Sequence, residues 1–329
     1  MQYFIQKANQ FGAQRIPFFF LIDFEQQKPL IIPLCQIIES GVFFSIGEYQ
    51  HLPTRLEPAQ NIKITPQPIP FSQYQQGFSI VQQELQKGNS YLLNLTYPTE
   101  IQLTHNLEQL FHQVQAPYKL YLENQFLCFS PECFIQITEN RIHTYPMKGT
   151  ISADLSDAAQ QLLNNEKEQR EHYTIVDLMR NDLAMVAKNI QVTKFRYIDK
   201  IQTEKGDILQ TSSEICGDLD VNWQHHIGDI LTKLLPAGSI SGAPKQKTVQ
   251  IIHLAEKQKR GYYTGVFGIF TGESLHSAVA IRFIEQQGKR YFFRSGGGIT
   301  IQSQEKDEYN ELCQKVYLPI KKVINEPTI

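Results

Sequence analysis

Runs of short apolar segments, separated by long helical stretches, constrain the fold of this chain most strongly. Segments rich in Phe, Ile, Val and Tyr, which are typical of strands, repeatedly follow one another without an intervening helix. By contrast, residues 156–187 contain no Gly or Pro and predict one long helix, either continuous or interrupted. A parallel sheet needs a crossover connection after each strand. This order therefore predicts an α+β fold with antiparallel sheets rather than a doubly wound parallel sheet.

The same patterns place the individual elements. The predicted strands are 16–24, 30–33, 42–46, 91–95, 118–122, 126–129, 134–137, 263–270, 277–284 and 290–294. The predicted helices are 72–87, 156–187, 225–235, 245–258 and a last helix that begins after Ser303, its N-cap, and meets Pro319 near its end. Prolines spaced along residues 52–71 indicate a seam. We therefore predict a short β-rich lobe at 1–70, packed on a catalytic domain at 71–329.

The composition argues against several classes of protein. With 31 basic and 33 acidic side chains the net charge is −2, whereas a nucleic-acid-binding surface is strongly basic. The longest apolar run near the N-terminus, Ile16–Ile22, is far shorter than the ~20 residues of a spanning helix, and no export signal is visible. The five cysteines are scattered and never spaced as C-x-x-C, which disfavours disulfides and a zinc site. We expect a cytoplasmic protein without nucleic-acid or membrane partners.

Lys148 is a candidate nucleophile. It lies in the segment YPMKGT (145–150), at the end of a strand where Pro and Gly fix the chain. A lysine is a nucleophile only when it is neutral, and desolvation or a neighbouring cation lowers its pKa into the required range. We therefore expect a neutral amine on a stiff turn. A solvated loop lysine is the alternative interpretation.

Two predicted helices carry carboxylates at helical spacing. Glu171 shares a face with Glu168 and with the apolar stripe of its helix, so it points toward the interior or a cleft. Glu308, Glu311 and Lys315 repeat this arrangement in the last helix. Two carboxylates from different helices, with positions left for water and an anionic ligand, suit Mg²⁺. An ordinary ion pair between Glu311 and Lys315 on a wet surface is the alternative.

A glycine-rich segment, SGGGIT (295–300), follows a strand and precedes a helix. Successive N–H groups of a turn there would form an anion-binding nest, although a tight hairpin turn explains the glycines equally well. Arg282 ends a neighbouring strand, and its planar fork suits a carboxylate. The loop LPAGSISGAPK (235–245) either allows close backbone approach or only begins a helix. These features describe a small, multiply negative ligand, whereas no motif indicates a nucleotide or nicotinamide cofactor.

In these motifs the chain resembles the chorismate-utilising enzymes, most closely the branch of aminodeoxychorismate synthase component I. The resemblance covers residues 72–325, with seven motifs in unbroken order. They are SPECF (130–134), PMKGT (146–150), EHYTIVDLMRNDL (171–183), LPAGSISGAPK (235–245), RGYYTGVFG (260–268), AIRF (280–283), and GGGIT (296–300) followed by EYNELCQK (308–315). Each motif alone is weak evidence, but the ordered set is specific.

The resemblance implies a fold of two broad antiparallel sheets flanked by helices, with the site between the sheets. It implies that Lys148 attacks C2 of chorismate and forms a covalent intermediate, while Glu132 protonates the departing C4 hydroxyl. Glu171 and Glu311 are the implied Mg²⁺ ligands, with Glu168 and Glu308 near them. The groups implied to hold the two carboxylates of chorismate are Thr150, Tyr263, Arg282, Lys315 and the amides of Gly297 and Gly298.

The implied activity is conversion of chorismate and ammonia to 4-amino-4-deoxychorismate, a step toward p-aminobenzoate and folate. No glutaminase nucleophile motif is visible in the chain, so the ammonia is either free or supplied by a separate glutamine amidotransferase subunit. Anthranilate synthase component I is the first alternative activity, and isochorismate or salicylate synthase is a weaker one. A chorismate-binding regulator without turnover is a further alternative, which the intact motif residues oppose.

Four departures from the family pattern bear on this choice. Leu92 stands where isochorismate and salicylate synthases carry a water-activating lysine, so those activities are disfavoured. Gln210, which we also place among the substrate-binding residues, replaces a histidine linked to pyruvate elimination in anthranilate synthases. Phe283 and Ala237 replace a usual Thr and a usual Gly, so the resemblance does not fix the local substrate geometry at these two positions.

Overall fold

Helices and strands cover most of the described chain. The computed structural model describes residues 1–54, 62–201 and 206–320. The helices are α1 (Gln2–Ala13), α2 (Phe71–Gln86), α3 (Leu107–Gln113), α4 (Ala158–Asn164), α5 (Glu166–Ala184), α6 (Ile227–Leu234), α7 (Lys245–Glu256) and α8 (Glu305–Gln314). The strands are β1 (Phe18–Ile22), β2 (Leu30–Pro33), β3 (Val42–Ile46), β4 (Tyr49–His51), β5 (Ile64–Gln67), β6 (Leu92–Leu103), β7 (Tyr118–Leu122), β8 (Phe126–Ser130), β9 (Cys133–Thr138), β10 (Arg141–Thr144), β11 (Met147–Ser152), β12 (Lys188–Ile201), β13 (Ile208–Asp218), β14 (Gly242–Ala243), β15 (Val266–Phe270), β16 (Leu275–Val279), β17 (Phe283–Gln287) and β18 (Arg290–Ile299).

The strands form two antiparallel sheets. Within the described residues the first sheet has the order β11-β13-β10-β9-β16-β15-β1-β2, with β12 also paired to β13. The second sheet has the order β14-β6-β18-β17-β8-β7-β3-β4, with β5 also paired to β6. Helices flank both sheets, and the predicted α+β fold with two large antiparallel sheets is confirmed.

Strand β1 shows how the sheets are held together. All five of its residues are buried. On one face, Phe20 meets the ring of Phe4 in α1 edge-on, with centroids 6.5 Å apart. On the other face, Phe19 stacks on Phe44 of β3 in the second sheet at 5.4 Å. Because both faces are covered, the sequence here is a continuous apolar run instead of an alternating one.

The first 70 residues contribute to both sheets. The chain begins with α1, a helix that sequence patterns did not predict and that has no side-chain cap at its N-terminus. Strand β1 pairs with β15 in the first sheet, while β3 and β5 pair with β7 and β6 in the second. The segment predicted as a lobe is therefore interleaved with the rest of the chain. Residues 55–61 of the predicted seam and 321–329 of the predicted second domain lie outside the described residues.

The long helix predicted at 156–187 is interrupted. It consists of α4 and α5, and Asn165 between them caps α5 by accepting a hydrogen bond from the Glu168 N–H. The sequence patterns also missed the strands β12 and β13, and they gave no bounds for the strand predicted to end near Lys148. Most residues of β12 are partly or fully exposed on both faces, so the alternation of apolar and polar residues that reveals a strand is absent there.

The strand predicted at 277–284 is in fact two strands in different sheets. The chain leaves the first sheet after Val279 and enters the second at Phe283. Between them Arg282 adopts a left-handed backbone conformation with φ +53°. The apolar run concealed this crossing because both of its ends are buried. Arg282 therefore lies at the passage from one sheet to the other.

The last helix also differs from its prediction. Helix α8 begins at Glu305, and its N-cap is Gln304. The hydroxyl of Ser303, the predicted N-cap, instead accepts a hydrogen bond from the N–H of Thr300. The helix ends at Gln314, before it can meet Pro319.

A fully buried ion pair joins the helical layer to the second sheet. The guanidinium of Arg260 donates two hydrogen bonds to Glu256 of α7, at 3.0 and 2.6 Å, and others to the carbonyls of Asn94 and Ile240. Glu256 accepts in addition from the N–H of Thr96 on β6. The side chains of both ionic partners are completely inaccessible to solvent. The pair therefore connects α7, β6 and the small-residue loop.

Replacing Arg260 by Leu is expected to lower the free energy of unfolding by about 3–5 kcal/mol, because it leaves the Glu256 carboxylate buried without its cation. Urea denaturation would measure the loss. Arg290→Leu is the matched control, since it breaks an arginine–glutamate pair with Glu100 at the surface and should leave the free energy of unfolding nearly unchanged. Equal losses in the two variants would contradict this account of the buried pair.

Candidate active site

A cavity of about 580 Å³ lies among strands of both sheets and the helices α5 and α8. Its volume suits a small organic ligand. All thirteen residues proposed from the sequence line it: Glu132, Lys148, Thr150, Glu168, Glu171, Gln210, Tyr263, Arg282, Gly297, Gly298, Glu308, Glu311 and Lys315. Residues far apart in the chain thus meet at one place, although their individual roles remain predictions.

Lys148 is held by the backbone geometry of β11. The register of β11 against β13 shifts between Lys148 and Thr150, so Gly149 lies at a bulge with φ +78°. This left-handed backbone conformation favours glycine, and a Cβ there would lie 2.8 Å from a carboxylate oxygen of Glu168. The hydroxyl of Thr211 donates a hydrogen bond to the carbonyl of Lys148. The stiff segment predicted around Lys148 is therefore a bulged strand.

The amine of Lys148 points into the cavity. Its Nζ donates a hydrogen bond of 2.9 Å to Oε2 of Glu171, and it lies 3.8 Å from the position that a Cβ on Gly298 would occupy. Burial favours the neutral amine, but the carboxylates nearby, above all Glu171, outweigh burial and raise the pKa of Lys148. The amine therefore carries a proton, which corrects the expectation of a neutral lysine.

Four carboxylates form a cluster in this part of the cavity, those of Glu168 and Glu171 on α5 and those of Glu308 and Glu311 on α8. Burial and the neighbouring carboxylate of Glu171 raise the pKa of Glu168, and burial and Glu311 raise the pKa of Glu308. Burial would also raise the pKa of Glu311, but Lys315 and other lysines outweigh it and hold that pKa below its usual range. The cluster thus concentrates negative charge that a cation would relieve.

The donor chemistry of this cluster fits Mg²⁺. Among the residues that the structure describes, no three His, Cys, Asp or Glu side chains are placed to hold a metal ion together. Mg²⁺ does not require such a set, because one or two carboxylates commonly hold it together with water and ligand oxygens. Glu171 and Glu311 supply two carboxylates of the required type from different helices. They are engaged here by Lys148 and Lys315, at 2.9 and 2.5 Å.

Glu132 lies on another wall of the cavity. One of its carboxylate oxygens accepts a hydrogen bond from the hydroxyl of Ser239 in the small-residue loop. Burial raises the pKa of Glu132, while Ser239 and the charge of Lys148 oppose that rise. A carboxyl group with a raised pKa is suited to donate a proton.

The small-residue loop is anchored from α5. Lys245, at the end of the loop, forms a 3.0 Å ion pair with Asp182 and donates a hydrogen bond to the carbonyl of Leu234. A Cβ on Gly238 would lie 2.6 Å from Asp182 Oδ2, so the loop backbone packs directly on this carboxylate. Sequence patterns identified the loop but missed Ser239, because one serine among several small residues carries no signal of its own.

The glycine-rich segment is a strand instead of the predicted turn. Gly296 to Gly298 continue β18 and pair with β6. On its other side, β18 loses its partner at Arg294, opposite Phe283, so residues 295–299 leave one strand edge unpaired among the described strands. The amine of Lys315 donates to the carbonyl of Gly296 at 2.8 Å. The predicted anion-binding nest is therefore wrong, because these glycines lie in a strand with one unpaired edge instead of in a turn.

Strand geometry also restricts the two predicted amides. Successive N–H groups of a strand point to opposite edges, so Gly297 and Gly298 cannot both present their amides to one ligand. Gly298 lies two residues beyond Gly296 and therefore shares its edge. The amide of Gly298 remains a candidate anion donor, whereas that of Gly297 points toward the opposite edge.

One end of the cavity, the cationic end, is formed by Tyr263, Arg282 and Arg294. The guanidinium of Arg282 lies 5.1 Å from the ring of Tyr317 and 3.5 Å from the carbonyl of Lys315. Among the described residues it forms no ion pair with a carboxylate. Burial raises the pKa of Tyr263 to about 12, so its hydroxyl stays protonated and can donate. This end suits an anionic group.

Two further cavity residues lie next to each other on the first sheet. Thr150 and Gln210 are direct cross-strand partners in β11 and β13.

Leu92, on β6, approaches Gly298 closely, since a Cβ on Gly298 would lie 3.1 Å from Leu92 Cδ1. An apolar side chain therefore lies at the position that, by the sequence resemblance, holds a water-activating lysine in isochorismate and salicylate synthases.

A known protein family matches most of the chain. Residues 25–321 match the family described as chorismate binding enzyme. The chain belongs to this family. It is a chorismate-utilising enzyme.

Curated relatives agree with membership of the chorismate-binding enzymes. A protein of Haemophilus influenzae named Uncharacterized PabA-like protein is 66% identical over 321 residues, which cover 98% of each chain. Aminodeoxychorismate synthase component 1 of Bacillus subtilis is 31% identical over 265 residues, covering 75% of this chain and 55% of that protein. The chain thus spans little more than half of the second relative.

Solved structures show the same fold. The menaquinone-specific isochorismate synthase of Escherichia coli superposes with a TM-score of 0.72 over 95% of this chain and 80% of the other, at 16% identity. At such low identity the likeness concerns the fold alone. Within the described residues, no helix combines the length and apolar character needed to cross a membrane.

Proposed function

We propose that this chorismate-utilising enzyme converts chorismate and ammonia to 4-amino-4-deoxychorismate. The observation that carries the proposal is the placement of Lys148. Its amine points into the cavity that Glu132, with a raised pKa, also lines. A nucleophile and a proton donor on separate walls can act on two positions of one ring. Similarity to an aminodeoxychorismate synthase component 1 supports this choice among chorismate reactions.

In the proposed reaction, the Lys148 amine forms a bond to C2 of chorismate as the C4 hydroxyl leaves. The two conjugated ring double bonds each shift by one position, from C1=C2 and C5=C6 to C6=C1 and C4=C5, and Glu132 gives a proton to the departing oxygen, which leaves as water. Ammonia then adds at C4, both double bonds shift back, and the lysine amine leaves C2. The net change is chorismate plus ammonia to aminodeoxychorismate plus water.

The amine of Lys148 must lose its proton before it attacks. Glu171 accepts the hydrogen bond from this ammonium at 2.9 Å and raises its pKa. If Mg²⁺ took over the Glu171 carboxylate, the amine would lose this partner and its pKa would fall. Desolvation of the amine inside the filled cavity would favour its neutral form further.

We propose that Glu171 and Glu311 hold Mg²⁺ when chorismate binds, with Glu168 and Glu308 behind them. The ion would neutralise the carboxylates and anchor the ring carboxylate of chorismate. Lys315, with its amine on the Gly296 carbonyl, lies beside Glu311 and limits how this carboxylate can turn.

Removing divalent ions with EDTA is expected to weaken chorismate binding by about tenfold or more, equivalent to about 1.4 kcal/mol. Four carboxylates without a compensating cation would repel the chorismate dianion. Calorimetric titration with and without EDTA measures this effect directly, and Mg²⁺ should restore the affinity. Glu311→Gln should lose most of this dependence on Mg²⁺. An affinity that EDTA leaves unchanged would contradict the magnesium proposal.

We propose that ammonia reaches the site either from solution or from a glutamine amidotransferase subunit. Two substitutions disfavour the rival reactions. Gln210 occupies the position of a histidine linked to elimination, which opposes anthranilate synthesis. Leu92 replaces the water-activating lysine, which opposes isochorismate formation, because a leucine cannot deprotonate water.

The test is an assay of the purified protein with chorismate, Mg²⁺ and ammonium, with products identified by mass. We expect aminodeoxychorismate, which an added lyase converts to p-aminobenzoate. With glutamine as the sole nitrogen source and no second protein, no product should form. Anthranilate with pyruvate, or isochorismate, as the main product would overturn the proposed function.

Ser239→Ala is expected to move the alkaline limb of the pH–rate profile to higher pH. Glu132 acts as an acid only when protonated, so activity falls as pH rises through its pKa. The Ser239 hydroxyl stabilises the carboxylate and lowers that pKa, and its removal therefore raises it further. Measuring kcat/KM against pH for both proteins tests this direction. A limb that stays in place or moves to lower pH would contradict the contact's role.

A further inference from the structure

Arg294 lines the cavity but belongs to none of the motifs considered so far. It lies on β18 and is buried, with 5% of its surface exposed. Its Nε and Nη2 approach Oε1 of Glu285 on β17 at 3.1 and 3.0 Å. Nη2 also approaches the carbonyl of Lys259 at 3.5 Å. Two of its three nitrogens are therefore engaged by protein.

The third nitrogen, Nη1, has no hydrogen-bond partner among the described residues and is shielded from solvent. A buried charged donor without an acceptor costs free energy and is rare in folded proteins. An acceptor supplied by a ligand in the cavity would remove that cost. Burial and the missing acceptor together distinguish Arg294 from arginines that only connect strands.

The position of Arg294 in β18 fixes which end of the cavity it serves. Side chains of alternate residues share a face of a strand, so Arg294 lies on the same face as Gly296 and Gly298. Lys148 Nζ lies against Gly298. Arg294 and Gly298 are four residues apart in the strand, which corresponds to about 13 Å. Arg294 therefore belongs to the cationic end, with Tyr263 and Arg282, and not to the carboxylate cluster.

We propose that Arg294 is a specificity-determining residue that donates through its guanidinium to the enolpyruvyl carboxylate of chorismate. A ligand whose ring reacts at Lys148 extends its side chain away from the carboxylate cluster, toward the cationic end. Glu285 holds the guanidinium in place and cannot satisfy Nη1 as well. The inference rests on the proposed function, because it takes chorismate as the ligand and Lys148 as the reacting group.

The first test measures chorismate affinity by calorimetry for the wild type, Arg294→Gln and the matched control Glu285→Gln. Arg294→Gln should bind chorismate about ten- to a hundredfold more weakly, as expected for a lost hydrogen bond between charged groups. Glu285→Gln breaks the same ion pair but keeps the guanidinium, so its affinity should change less than about threefold. Unchanged affinity in Arg294→Gln, or an equal loss in Glu285→Gln, would overturn the proposal.

A second test locates the contact on the ligand. The probe is chorismate esterified with methanol at the enolpyruvyl carboxylate only. The wild type should prefer chorismate over this ester, and Arg294→Gln should lose at least about fivefold of that preference. A preference retained in full would overturn the assignment. If Arg294→Gln does not fold, Arg294→Lys, which keeps the charge and loses the fork, is measured against the same outcomes.

These tests separate the inference from the proposed function. Affinities report on Arg294, whereas products identified by mass report on the reaction. Anthranilate as the product together with the expected affinity pattern would overturn the proposed function and support the role of Arg294. Aminodeoxychorismate as the product, together with unaltered chorismate affinity in Arg294→Gln, would support the proposed function and overturn the role of Arg294.

Discussion

Lys148→Ala is expected to lower the rate of C4 amination by about a thousandfold or more, which corresponds to about 4 kcal/mol of lost transition-state stabilisation. The variant lacks the amine that attacks C2 and displaces the C4 hydroxyl. Ammonia would then have to displace this poor leaving group directly. The substitution also frees Glu171 from its ion pair. Chorismate should therefore still bind, and the loss should appear in kcat.

Lys167→Ala is the matched control for this variant. Lys167 also carries a positive charge beside Glu171, with Nζ 3.9 Å from Oε1, but its side chain is 72% exposed. Its removal changes the local charge as Lys148→Ala does, without removing the proposed nucleophile. Steady-state rates within about threefold of wild type are expected for an exposed pair of this kind. Full amination by Lys148→Ala, or an equally large loss in Lys167→Ala, would contradict the nucleophilic role.

Glu132→Gln is expected to lower kcat by about 10²- to 10⁴-fold, the usual contribution of general acid catalysis. The amide keeps the shape of the side chain and can still accept from Ser239, but it has no acidic proton to give. Chorismate affinity should change little, since the leaving hydroxyl remains free to hydrogen-bond to the amide. Initial rates and calorimetry on the same preparation separate the two effects.

The pH dependence provides the control for Glu132→Gln. The alkaline limb assigned to Glu132 should be absent from the residual activity of the variant, because the amide does not titrate. The same limb should move upward in Ser239→Ala. A variant that keeps wild-type kcat, or keeps the alkaline limb unchanged, would show that another group supplies the proton.

The order of the motifs predicted which residues meet in the cavity, but it did not predict the local backbone conformation. Lys148, Glu132 and the four glutamates reach one cavity because each lies at a strand or helix position that the patterns located approximately. The glycines at 296–298 were interpreted as a turn, since glycine runs usually end strands. In the fold they continue β18 because β6 pairs with them, and side chains of α8, β6 and β11 approach them closely.

Other misses arose from tertiary context. The crossing at Arg282 was hidden because strands of two different sheets adjoin in one apolar run. Arg294 was missed because its function depends on which nitrogen Glu285 leaves unpaired, and spacing along one strand cannot reveal this. The protonation of Lys148 was predicted in the wrong direction, since Glu171 is 23 positions away in the chain but 2.9 Å away in space. Electrostatic balance needs the three-dimensional neighbours.

The most direct measurement is the intact mass of the protein after brief incubation with chorismate and Mg²⁺ in the absence of ammonia, followed by acid quenching and peptide mapping. The proposal predicts an adduct on the peptide containing Lys148, heavier by chorismate minus one water, that disappears when ammonium is added before quenching. The contradicting result is aminodeoxychorismate formation at full rate with no adduct on Lys148 at any time during turnover.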